Sequence, residues 1–132
     1  MSQDKPVPGS AEDWLARAEG DLALAKVPLP AGAFYEDLCF HCQQAAEKAF
    51  KAVYQHFGKR FRYTHDLDEL ITGLKDGGVA VPPEVVDAAL LTSYAWEARY
   101  PGLSEPATIE EYREALRQAE MVLKWAKETI RS

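Results

Sequence analysis

Two cysteines and a histidine stand together at Cys39-Phe40-His41-Cys42, the spacing used by redox dithiols and by zinc sites. Either chemistry needs thiolates stabilised by a helix N-terminus, a cation or a metal. The pair lies inside a helical pattern, and no second Cys or His pair completes four ligands, so the cysteines read as small buried side chains. His65-Asp66 is half of a metal-dependent phosphohydrolase arrangement, but only His41 and His56 remain to supply further imidazole. Thr64 and Asp66 are equally natural at a helix start, and no metal is expected. Lys59, Arg60 and Arg62 alternate with Phe61 and Tyr63. With Lys48 and Lys51 these cations can hold a phosphate backbone while the rings stack on bases, and an ordinary solvated loop has the same composition. Arg99, followed by Tyr100 and Pro101, closes a helical pattern. Arginine forks onto phosphate or carboxylate, and a cation also suits a helix C-terminus on its own. No set here amounts to a complete catalytic motif.

The elements that must position these groups are helices. From Phe34 to Phe57 there is neither proline nor glycine, and Leu38, Cys42, Ala45, Ala49 and Val53 step by three or four residues onto one face. Asp37, His41, Gln44 and Lys48 step the same way one position earlier, forming a polar stripe beside the buried one. Ser10 and Asp13 open a first helix to about Lys26, with Trp14, Ala18, Leu22 and Ala25 inward, and Pro28, Pro30 and Gly32 stop it. Thr64 caps a short helix over about His65 to Lys75, with Leu67, Leu70, Ile71 and Leu74 inward. Pro82 and Pro83 open another, with Val85, Val86, Ala89 and Leu90 beginning its apolar face and Tyr94 and Ala98 continuing it until Arg99 to Gly102 end it. Thr108 and Glu111 start the last helix, which buries Tyr112, Leu116, Ala119, Leu123, Ala126 and Ile130. The reading is all-α: an antiparallel up-and-down four-helix bundle with an extra short helix. Residues 1–9 form a flexible tail, and 10–132 one domain.

The totals agree with a single soluble core. The chain has 132 residues, 47% of them hydrophobic and 27% charged. No run approaches the roughly 20 apolar residues that span a bilayer, and there is no apolar signal core, so no membrane association and a cytoplasmic location are expected. A net charge of -6 argues against general nucleic-acid binding. Lys48 to His65 is the exception, with five Lys or Arg and no acid. Basic character is therefore local.

Trp14-Leu15 with Asp21-Leu22, the block from Cys42 through Gln43-Gln44-Ala45-Ala46-Glu47-Lys48 to Ala52, Thr64-His65-Asp66-Leu67, and Ala98-Arg99-Tyr100-Pro101 follow one another in an order that resembles HEPN domains. The likeness runs from about Ala11 to Ile130. It implies an up-and-down bundle that dimerises, a nucleotide or RNA ligand, no cofactor, and a role as partner of a minimal nucleotidyltransferase in a toxin-antitoxin-like pair. Many members are metal-independent ribonucleases marked by an Arg, four to six residues and a His near the end of the penultimate long helix. Arg99 takes the first place here, but Ser104, Glu105 and Pro106 stand where the His would fall. The chain resembles an Arg-Tyr-Pro branch without that signature.

The expected site is a groove between the polar stripe and the end of the fourth helix, lined by His41, Gln44 and Lys48 with Arg99 and Tyr100 at its mouth. Lys51, Arg60, Arg62 and His65 are further candidates. No catalytic residue is assigned. Two other readings stay open: a ribonuclease toxin taking its proton-transfer imidazole from His41 or His65, and a purely structural partner whose contact surface includes Trp125 and Leu103.

Overall fold

A computed structural model describes residues 5–96 and 105–132, and every structural statement below concerns these. Met1 to Asp4, at the start of the expected tail, and the segment 97–104, which carries Arg99, Tyr100 and Leu103, lie outside them. The described chain is helical in the order α1 (Ala11–Ala25), α2 (Tyr35–His56), α3 (Leu67–Asp76), α4 (Pro83–Val86), a 3-10 stretch (Asp87–Thr92), α5 (Ser93–Trp96) and α6 (Ile109–Arg131). No described helix is long and apolar enough to cross a membrane.

Local chemistry sets most of the boundaries. The Ser10 hydroxyl accepts from the Asp13 amide at 3.2 Å at the start of α1. Thr108 and Glu111 close a reciprocal capping box on α6 at 3.1 Å in each direction. The short helix begins two residues later than the sequence suggests. Asp66 is its cap, accepting from the Asp68 and Glu69 amides, while Thr64 accepts from the Asp66 amide in the turn before it. Gly58, at φ +66°, takes the left-handed conformation that releases the chain from α2.

Interhelix pairs fix the directions. Arg131 meets Glu12, Lys127 meets Glu19 and Glu120 meets Lys26, so α6 runs antiparallel to α1. Tyr35 stacks on Tyr112 and Phe50 packs against Trp125, so α6 runs parallel to α2. The fourth member is the run Pro83–Trp96, and α3 is the short extra helix. The fold is thus the all-α bundle that the sequence implies. Its core is centred on α2, where all five residues of the expected apolar stripe are buried.

Two expectations about packing fail. The fourth helix is not one α-helix but two single turns around a 3-10 stretch, and its inward residues are Val85, Ala88 and Leu91, three apart. A 3-10 helix has three residues per turn, so that spacing keeps all three on one side and turns Leu90 outward at 73% exposure. Trp125 is no contact surface: it is 8% exposed and lies 5.7 Å, ring to ring, from Phe50. The inward arc of α6 also takes in Ala115, Gln118 and Val122, wider than a single stripe allows.

Candidate functional site

The polar stripe of α2 is built on two carboxylates that sit behind it. Asp21, on α1 and 8% exposed, lies between two stripe residues. Its carboxylate is 3.0 Å from His41 Nδ1 and 2.5 Å from Lys48 Nζ. An ionised carboxylate only accepts, so Nδ1 is the donor in this pair. His41 and Lys48, each about a third exposed, are thereby held one turn either side of Gln44.

Glu47 is the second carboxylate, and it is more deeply placed. Its Oε1 accepts from His65 Nδ1 at 2.8 Å, Gln43 Nε2 at 3.0 Å and Gln44 Nε2 at 3.3 Å, and its Oε2 accepts from Lys51 Nζ at 2.8 Å. Burial pushes this carboxyl up, but the hydrogen bonds from Lys51, Gln43 and His65 and the charge of Lys51 outweigh it and leave the group below the usual glutamate value. Gln43, fully buried, also donates to the His65 carbonyl at 3.2 Å and accepts from Gln44 at 2.7 Å. The network therefore ties the loop ahead of α3 to the middle of α2. No described buried side-chain nitrogen or oxygen is left without a partner.

Lys51 points inward. Its ammonium is 5.6 Å from the Trp14 ring, 5.3 Å from Phe61 and 5.5 Å from Tyr63, an aromatic enclosure that complements the Glu47 pair. Lys51 thus holds the loop onto the bundle rather than facing solvent. Arg62 is exposed and forks onto Glu69 at 2.9 and 3.0 Å. Arg60 lines a cavity of about 430 Å³ between the loop and α3.

Of the residues expected from sequence, the structure brings His41, Gln44, Lys48 and His65 together on one face, with Lys51 beneath and Arg60 and Arg62 further along the loop. Arg99 and Tyr100 lie outside the described residues. Asp21, Gln43 and Glu47, which orient the rest, entered the sequence reading only through the family resemblance and were given no place in the site. One signal was present: Gln43, Glu47 and Lys51 are four apart, the spacing at which helical side chains pair. Cys39 and Cys42 are buried and not joined by a disulfide, and burial pushes the Cys42 thiol up to about 12, which disfavours the thiolate. Among the described residues no group of three or more His, Cys, Asp or Glu is placed to hold a metal.

A helical bundle of this topology has a known counterpart. The chain is similar to a crystal structure of an archaeal HEPN homologue, with 30% sequence identity, a TM-score of 0.71, and coverage of 92% of this chain and 98% of that one. No curated protein matches it. The family description that matches residues 11–129 is that of the HEPN domain. By the extent of that match and the shared fold, the chain belongs to the HEPN domain family.

Proposed function

We propose that the protein binds the phosphate of a nucleotide or short RNA on the α2 face formed by His41, Gln44 and Lys48, as a non-catalytic module. The observation that carries this reading is the Asp21 bridge, which holds an imidazole and an ammonium side by side and partly exposed. The two ammonium groups, Lys48 and Lys51, already offset Asp21 and Glu47. An arriving phosphate therefore meets fixed hydrogen-bond donors without a surplus of negative charge behind them. Arg99 and Tyr100 are assigned on their sequence positions to fork onto the phosphate and stack on a base. Family membership supports a homodimer working beside a minimal nucleotidyltransferase in a toxin-antitoxin-like pair.

Calorimetric titration with a short single-stranded RNA tests this. Lys48→Gln keeps a donor for Asp21 while removing the charge, and we expect it to weaken binding about tenfold. Equal binding by wild type and variant would remove the assignment. One observation favours a second reading. Asp21 orients His41 as a carboxylate orients a general base, and an imidazole so held can move a proton during metal-independent RNA cleavage. Cleavage in the presence of chelator that disappears in His41→Ala would favour the ribonuclease, and intact RNA after incubation with wild type would favour binding alone.

A further inference from the structure

A surface away from the α2 stripe has the opposite chemistry. The run Pro83–Trp96 and α6 lie side by side and leave between them a groove of about 390 Å³. Leu91 and Ala115, both buried, close it from beneath. Leu90, 73% exposed, and the half-buried Tyr94 line it from the run, and Glu110, Glu111 and Glu114 line it from the N-terminal half of α6.

The apolar side is a product of the 3-10 geometry, which takes Val85, Ala88 and Leu91 inward and turns Leu90 out. A lone exposed leucine is ordinary. This one shares a cavity with Tyr94, so the two rise from a closed floor as one seat for an incoming apolar side chain. The charge is one-sided. Three carboxylates line the groove and no cation does. Glu111 accepts from the Thr108 amide at 3.1 Å, and Arg117 forks onto Glu114 at 2.9 and 2.6 Å from outside the lining, so one cation stands against three acids. The rim stays negative.

From this arrangement we infer a docking groove for a protein partner that presents a basic amphipathic helix, its apolar side chains against Leu90 and Tyr94 and its Lys or Arg side chains along Glu110 and Glu114. Two elements side by side form the trough that such a helix fills. Glu110 and Glu114 are four residues apart, one helical turn, so cations one turn apart on the incoming helix meet both. A second copy offering the same face is disfavoured, because a two-fold interface repeats each patch and would set these carboxylates against themselves. Nucleic acid and anionic lipid are repelled by the same charge. None of His41, Gln44 and Lys48 lines the groove, and phosphate binding at the stripe has no bearing on it.

Fluorescence anisotropy with a labelled peptide of about 18 residues, long enough to hold a helix, tests the groove on the full chain. The probe carries leucines at helical spacing along one side and lysines one turn apart beside them. A second peptide has glutamate for every lysine, and a third has the lysine peptide's residues scrambled. The lysine peptide should bind, and more tightly than either control. Leu90→Ser, at an exposed position, should weaken it about tenfold by removing the apolar seat, and Glu110→Gln with Glu114→Gln should weaken it about as much by removing charge. Glu128→Gln removes an exposed acid near the other end of α6 and should leave binding unchanged. No binding of the lysine peptide, equal binding of either control, indifference to Leu90→Ser, or equal sensitivity to Glu128→Gln would overturn the assignment. So would sedimentation of the protein alone showing a dimer that Leu90→Ser dissociates, which would give the groove to a second copy.

Discussion

Glu47 is the residue on which the interior of the site turns, because it is buried and accepts four hydrogen bonds. Its carboxyl titrates lower in the folded chain than the ordinary value of 4.5. The sign follows directly: a depressed folded value gives stability that is fully present above the unfolded value and lost as pH falls through the folded one. Thermal unfolding followed downward from about pH 5 should therefore show wild type losing more stability than Glu47→Gln. At neutral pH, Glu47→Ala leaves the Lys51 ammonium buried and unpaired, and we expect a loss of about 3–5 kcal/mol. Glu47→Gln combined with Lys51→Met should recover much of it, since methionine suits the rings around Lys51. The half-exposed positions of His41, Gln44 and Lys48 were legible in the sequence because a stripe beside an apolar face is half-exposed by geometry. Asp21 and Glu47 were not, because periodicity reads a charged residue as outward, and only knowledge of its partners shows that burial is tolerable.

At the scale of elements, helix starts and the apolar face of α2 could be read from local signals, since capping and periodicity act within one or two turns. The run Pro83–Trp96 could not, because α and 3-10 periods diverge only after several residues. Val85, Ala88 and Leu91 carried the three-residue step, but Val86, Ala89 and Leu90 offered an equally apolar α-helical alternative. The packing that decides between them includes the Thr92 hydroxyl, which accepts from the Leu67 amide at the start of α3 at 3.0 Å. A second tertiary constraint on α3 inverts a familiar substitution. Gly→Ala inside a helix ordinarily stabilises by about 0.5–1 kcal/mol. At Gly73 the new methyl would meet the Tyr54 oxygen at 2.1 Å, and an overpacked contact of this kind costs about 1–3 kcal/mol. Gly73→Ala should thus destabilise. Adding Tyr54→Phe should relieve most of the loss in chemical denaturation, because the nearest remaining ring atom is 3.3 Å away.

The whole molecule is acidic at -6, yet Lys48 to His65 contains five Lys or Arg and no acid. Folding does not spread those charges over the surface. It buries Lys51, engages Lys48 and Arg62 with acids from α1 and α3, and leaves Lys59 and Arg60 at the rim of a cavity. The basic residues thus fall in two places along one helix, Lys48 oriented by a carboxylate of α1 and Lys59 and Arg60 on the loop beyond its end. The central claim concerns the first, and mapping RNA-induced NMR shifts over the whole chain tests it most directly. As a short single-stranded RNA is added, the His41 ring, the Gln44 side-chain amide and the Lys48 side chain should shift together and saturate. Shifts confined to other surfaces, with these three unmoved at saturation, would contradict it.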